Sequence, residues 1–245
     1  MTTSRTALVT GSTKGIGLDI AKRLASSFSH LGINGRNLHD VEAVVKSSNN
    51  FFPAVANANN LEEVLSLRDL IKSEFGNLDL LVCNIGGGVA FKTPADAEEW
   101  QRVLNLNLFS AINFVEIMKE IIPDQTGKII FIGSIAENSS VDAPLPYGVA
   151  KAALNVYSKK IAKELAARGI RVNSLILGNI LFEGSSWQKR IEKERQKTLS
   201  YIQAKVPLNA FGTTSEIAAW CEFLSSDEIS FTTGATIYID GGQTL

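Results

Sequence analysis

The run LDLLVCNI, residues 78–85, constrains this chain more than any other stretch. A strand with one wet face alternates polar and apolar residues, so a continuous apolar run suits a strand covered on both faces. Similar short runs recur at TALVT, LGING, FFPAV, KIIFIGS, IRVNSLIL and TIYID, with helical patterns between them. LEEVLSLRDLIKSEF carries a helical stripe through Leu61, Val64, Leu65, Ile71 and Phe75. A long helix is expected over roughly 98–122, another after Pro146, and another over TSEIAAWCEFLSS. Seven strands separated by helices imply an α/β fold, a Rossmann-type, doubly wound parallel sheet with helices on both faces. Ligands of such sheets gather outside the carboxyl ends of the strands.

No Gly/Ser linker or low-complexity tract divides the 245 residues, so a single domain over 1–245 is expected. A net charge of -1 gives no footprint for nucleic acid or a membrane surface. No apolar stretch reaches the roughly 18 to 20 residues of a membrane span. The N-terminus enters a strand at once, without room for a signal peptide. Cys83 and Cys221 lie in apolar surroundings, which reads as a reduced cytoplasmic protein, although a disulfide stays open. His30 and His39 stand apart from any Cys/His cluster, so no metal site is expected. A serine hydrolase lacks its G-x-S-x-G elbow here.

TGSTKGIG, residues 10–17, follows the first strand and opens the first helix. Gly11, Gly15 and Gly17 permit a tight turn and close backbone approach. The helix start then offers free N–H groups and a positive dipole end to a pyrophosphate. The second strand ends at NGRN, where an NAD site usually places a carboxylate for the ribose 2′-hydroxyl. Gly35 and Arg36 stand there instead, and Lys14 adds a second cation, so NADP(H) is expected over NAD(H).

PYGVAK sets Tyr147 and Lys151 one helical turn apart, soon after KIIFIGS delivers Ser134 to the carboxyl edge. A free tyrosine, with pKa near 10, trades protons poorly at neutral pH. Lowering it by about two units takes roughly 2.7 kcal/mol, which one nearby ammonium can supply. Ser134 can hydrogen-bond a substrate oxygen as charge develops.

With these residues in view, the whole chain resembles the short-chain dehydrogenase/reductase family, in its 3-oxoacyl-reductase-like branch. TGSTKGIG is similar to the family's cofactor turn, CNIG to its motif after the fourth strand, and VLNLNLF carries its structural asparagine, Asn107. Ser134, Tyr147 and Lys151 match its catalytic serine, tyrosine and lysine, and RVNSLILGNI and YIDGG its last strand motifs. The resemblance implies an oxidoreductase that moves hydride between NADP(H) and a carbonyl or secondary alcohol. Tyr147 is then the general acid, Lys151 lowers its pKa and binds the nicotinamide ribose, Ser134 polarises the carbonyl and Asn107 holds a proton relay. The implied cofactor contacts are Gly11, Ser12, Thr13, Lys14, Gly15, Ile16, Gly17, Arg36, Asn57, Asn84, Gly86, Tyr147, Lys151, Gly178 and Ile180. It also implies a homo-oligomer, a dimer or tetramer.

Four positions depart from the pattern. Leu177 replaces a proline, Phe182 a threonine near the carboxamide, Asn57 an aspartate that accepts from adenine, and Ile85 a small alanine. A nucleotide-binding sensor or scaffold that keeps the fold without chemistry is the rival reading. The variable lid spans about 181–209. Its run QKRIEKERQK reads as a solvated helix face or as a basic entrance for an anionic substrate. The polar loop with Glu137, Asn138 and Asp142 leans towards a hydrophilic substrate such as a sugar-like keto compound. A 3-oxoacyl thioester on an acyl carrier protein stays open, because Arg168 matches a basic docking position while Gln125 does not.

Overall fold

The computed structural model describes residues 4–87, 95–138 and 140–245; residues 1–3 and Ser139 of the polar loop lie outside it. Seven strands form the central sheet: β1 (Thr6–Val9), β2 (His30–Gly35), β3 (Phe51–Val55), β4 (Leu80–Cys83), β5 (Lys128–Ser134), β6 (Arg171–Leu177) and β9 (Thr236–Ile239). Their order is β3-β2-β1-β4-β5-β6-β9, and every neighbouring pair is parallel. The order reverses between β1 and β4, so the turns leaving these two strands open on the crevice where such sheets bind ligands.

The apolar run that introduced the chain faces two cores. Leu81 and Cys83 pack with Val64, Phe114 and Leu154 from α3 (Leu61–Phe75), α5 (Ser110–Met118) and α6 (Leu145–Leu165). Leu80 and Val82 pack on the opposite side with Ile20, Leu24, Ile217 and Cys221 from α1 (Gly15–Leu24) and α8 (Thr214–Ser225). Neither face is left for water, which is why polar residues are missing from β4. Cys83 and Cys221 are free thiols in separate cores.

Local chemistry starts most helices. Asn37 caps α2 (Leu38–Val45), Asn60 caps α3, Asp96 caps α4 (Ala97–Leu104), Ser185 caps α7 (Ser186–Lys205) and Thr213 caps α8, each with a side-chain oxygen on a backbone N–H. α1 and α6 start without a side-chain cap. The helix expected over 98–122 is three pieces: α4, a π-helical turn over Asn105–Phe109, and α5. The extra residue of that turn re-aims the side chains around Asn107. Ile121 and Ile122 extend the apolar pattern past α5 because they fold down into the core as buried loop residues. α6 starts at Leu145, just ahead of Pro146, whose missing N–H costs nothing in a first turn. Sequence reading also missed a small parallel pair, β7 (Ile180–Leu181) with β8 (Gly212–Thr213). Among the described residues no helix is long and apolar enough to cross a membrane.

Candidate active site

The glycine turn after β1 is held by a residue that its own motif does not contain. Buried Asn34, in β2, accepts from Gly11 N through Oδ1 at 3.1 Å, and its amide nitrogen donates to Ala54 O and Ala56 O at 2.8 and 3.2 Å. Its backbone N–H donates to Ser12 Oγ at 2.9 Å, and its carbonyl accepts from Ser12 N at 2.9 Å. Ser12 is fully buried and also donates to Val9 O at 2.7 Å, so this predicted cofactor contact points its side chain into the fold. Asn84, at the end of β4, donates to Thr10 O at 3.0 Å and Gly11 O at 3.1 Å, which ties the two crevice turns together. A Cβ on Gly17 would sit 2.4 Å from Gly11 O, so the backbone closes here without room for any side chain. α1 then begins with no side-chain cap and no acidic residue in its first turn. The free N–H groups of Gly15, Ile16 and Gly17 fit a phosphate anion.

Lys14 and Arg36 are both exposed. A Cβ on Gly35 would meet Thr13 Cγ2 at 2.8 Å, so the end of β2 lies against the glycine turn and the two cations flank one corner of the crevice. Asn57 follows β3 as expected, but its Oδ1 already accepts from Asn59 N at 3.2 Å and its own N–H donates to Glu63 Oε2 at 2.7 Å. The local turn therefore occupies part of the acceptor expected for adenine.

β5 and α6 bring Ser134, Tyr147 and Lys151 together. Ser134 ends β5, accepts from Ala136 N at 3.2 Å, and is hydrogen-bonded to the Tyr147 hydroxyl. Lys151 is buried, donates from Nζ to Ile132 O at 3.1 Å, and stands 5.9 Å from the Tyr147 ring centre. Asn107 joins them from the π turn. A Cβ on Gly86 would lie 3.0 Å from both Asn107 Oδ1 and Lys151 Nζ, so only glycine leaves the two side chains their common space. Asn107 Oδ1 accepts from Gly87 N at 2.9 Å, and its amide donates to Val103 O at 3.1 Å.

The expected lowering of the tyrosine pKa does not occur in this arrangement. Burial pushes the Tyr147 hydroxyl up, and the Ser134 hydrogen bond pulls it only part of the way back. The lysine's ammonium turns to the Ile132 carbonyl, and burial pulls its own pKa down to about 8, against the opposing charge of Glu137.

Glu137 belongs to the polar loop after Ser134, yet its side chain is turned inwards. Its Oε1 accepts from Asn155 at 2.8 Å and from the Tyr238 hydroxyl at 2.9 Å, while Oε2 is buried without a hydrogen-bond partner. Burial raises its pKa, opposed by those two hydrogen bonds and by the charges of Lys159 and Lys151. Arg168, which matches a basic docking position in the related family, is tied by hydrogen bonds to its own chain. It holds Asp124 at 2.7 Å, Lys119 O at 2.8 Å and Ile122 O at 2.7 Å, which commits its guanidinium to the chain itself.

Beyond β6, Gly178 packs against Asp240, where a Cβ would meet Asp240 Cα at 2.7 Å. Gly212 N donates to Asn179 O at 3.0 Å in the β7–β8 pair. In a parallel ladder this turns the N–H and C=O of Ile180 to the side away from β8. Leu177 is hydrogen-bonded between β5 and β9, where its N–H serves the ladder better than a proline would. The Phe182 ring lies against Gly15, 2.6 Å from where a Cβ would be, and with Leu181, Ile191, Leu199 and Phe211 it lines a cavity of about 420 Å³ beneath α7. Ile85 covers Gly11 in the same way, at 3.1 Å. Among the described residues no group of three or more His, Cys, Asp or Glu side chains could hold a metal ion.

Known proteins are similar to this chain in sequence and fold. The family described as enoyl-(acyl carrier protein) reductase matches residues 11–244. Glucose 1-dehydrogenase 2 of Bacillus subtilis is 32% identical over 99% of this chain and 96% of its own. The 3-oxoacyl-(acyl-carrier-protein) reductase FabG of Rickettsia conorii is 34% identical over 99% and 98%. Among solved structures, L-sorbose reductase from Gluconobacter frateurii, complexed with NADPH and L-sorbose, superposes with a TM-score of 0.89 at 26% identity, covering 98% of this chain and 97% of that one. A gluconate 5-dehydrogenase from Burkholderia cenocepacia, in complex with NADP and tartrate, gives 0.88 at 26% identity, covering 98% and 95%. The crevice between β1 and β4, the Ser134–Tyr147–Lys151 cluster beside it and these full-length matches lead to one conclusion: the chain belongs to the short-chain dehydrogenase/reductase family of oxidoreductases.

Proposed function

We propose that this chain, as one domain, is an NADPH-dependent carbonyl reductase in which Tyr147 is the general acid. The observation that carries the reading is the Ser134–Tyr147 hydrogen bond beside a buried Lys151 Nζ. Bound NADPH would supply the hydride. Gly15, Ile16 and Gly17 offer their N–H groups to its pyrophosphate, Lys14 and Arg36 its 2′-phosphate, and the outward backbone of Ile180 its carboxamide.

Ser134 Oγ holds the carbonyl oxygen, and the Tyr147 hydroxyl gives that oxygen its proton as charge develops there. A phenol whose pKa is raised by burial keeps its proton at neutral pH, so Tyr147 rests in the form that carries a proton to give. Lys151, still largely protonated at pH 7, steadies the phenolate left behind, and Asn107 holds the space through which the proton returns. A polar, hydroxylated keto compound fits better than a thioester on a carrier protein, because Arg168 is engaged within the chain. On α6, Leu145, Val149 and Val156 are exposed, which suits a homo-oligomer joined through that helix.

Tyr147→Phe should lower kcat at least about a hundredfold in an NADPH oxidation assay while NADPH still binds, as followed by fluorescence. Full turnover by that variant would defeat the proposal. NADH binding as tight as NADPH would defeat the role of Lys14 and Arg36. The rival, a sensor of the same fold, has one observation in its favour, the Phe182 ring against Gly15. It predicts nucleotide binding without turnover of any carbonyl compound.

A further inference from the structure

A straight helix would set Trp187 and Tyr201 about 21 Å apart along α7. Their rings stack at 5.5 Å. The helix folds back at Glu194, whose φ of -143° and ψ of 60° are not helical, so α7 is two arms closing on one another. Between the arms is a cavity of about 370 Å³, a size that admits a small organic molecule. The stacked Trp187–Tyr201 pair supplies an apolar wall, and Arg190, Lys193 and Lys197 supply positive charge against a single carboxylate, Glu194.

That carboxylate reports the local field. Lys197 holds it at 3.0 Å and lowers its pKa, and Lys193 and Arg190 add to the effect. One anion among three cations leaves the cleft net positive. Arg190 is further ordered by stacking on Trp187, with its guanidinium carbon 4.9 Å from the ring centre. The cleft is also tied to the catalytic edge of the sheet. The Tyr201 hydroxyl accepts from Gln243 at 3.3 Å, and Gln243 accepts from Asn179 at 2.6 Å. Asn179 lies two residues beyond Leu177, which pairs with Ser134 across the β5–β6 ladder.

We infer that the fold of α7 makes an oxyanion subsite, in which Arg190 and Lys193 hold the carboxylate or phosphate end of an organic substrate while the edges of the stacked Trp187–Tyr201 pair pack against its body. The natural substrate class is then an anionic keto compound rather than a neutral one. This assignment of substrate rests on the proposed reductase reading, whereas anion binding does not.

Binding can be followed in the intact protein through Trp187 emission, with inorganic phosphate and gluconate as separate probes and Trp187→Phe as the blank. Saturable quenching at millimolar concentration or tighter is expected, and it should vanish in the blank. Arg190→Gln should weaken binding about tenfold through loss of one charge-assisted contact. Glu194→Gln should tighten it by roughly threefold or more, by removing the competing carboxylate. A role in folding alone would not move affinity in opposite directions. Quenching by gluconate and not by phosphate identifies a carboxylate subsite, and the converse a phosphate subsite; either supports the inference. No saturable response to either probe, or equal affinity in both variants, overturns it. In turnover, Arg190→Gln should lower the ratio of kcat/KM for a keto acid over its methyl ester. Anion binding with no turnover of any carbonyl compound would refute the reductase reading and leave the subsite standing.

Discussion

The first half of the glycine turn, Thr10 to Ser12, is tied by hydrogen bonds to other parts of the chain, whereas in α7 most polar side chains face water. Asn34 alone joins Gly11, Ser12, Ala54 and Ala56, and Asn84 adds Thr10 and Gly11. The lid has two buried hydroxyl residues, Ser185 and Thr198, one kink, and two aromatic contacts from Trp187, to Tyr201 and Phe211. Both regions meet where Phe182 rests on Gly15. A turn built from backbone hydrogen bonds presents one geometry to a ligand shared across a family. A lid held by a few side chains can change its lining without disturbing the sheet.

That contrast can be broken at four points, from the largest expected effect to the smallest. Gly17→Val forces a side chain against Gly11 O at 2.4 Å and Asn84 Nδ2 at 2.5 Å. It should cost about 3 kcal/mol or more in urea unfolding, or prevent folding altogether. Near-native stability would show that the turn yields as the lid does. Asn34→Ala strands several buried partners and should cost about 2 to 4 kcal/mol by the same measurement. A loss under about 1 kcal/mol would mean that water replaces the amide.

The third point is pH. Lys151 titrates near 8 in the fold and near 10.5 when unfolded, so between those values the unfolded chain binds more protons and stability should climb with pH. Activity should fall above about pH 8, since the protonated lysine is the working form. Glu137→Gln removes the opposing charge and should move that alkaline limb towards lower pH, as read from a kcat profile. An unmoved limb would detach Glu137 from the site. Least of all, Trp187→Leu should change stability by no more than about 1 kcal/mol, because the lid carries little of the global fold. A larger loss in thermal unfolding would make α7 part of the core.

The difference between these regions also explains what could be read in advance. The glycine turn and the Tyr147–Lys151 pair are encoded within single turns, so spacing along the chain is spacing in space. Asn34 acts on Ala54, twenty residues away, and Glu137 on Tyr238 across the sheet, and nothing beside either residue announces it. Arg168 carried the opposite lesson. The family resemblance matched it to a basic docking position and left that reading open; its bonds to the remote carbonyls of Lys119 and Ile122 appear only in the fold. QKRIEKERQK was open between a solvated face and an anion entrance; helical periodicity could not anticipate the break at Glu194 that sets two arms facing.

Apolar patterning along the chain determined the parallel sheet, the crevice turns and the residues that enter them, because a strand covered on both faces selects for apolar residues. Tertiary packing alone decided the protonation preferences of Tyr147 and Lys151, the inward turn of Glu137 and the concave lid. Those depend on how far water is excluded and on which distant groups arrive, and neither quantity is written in local order.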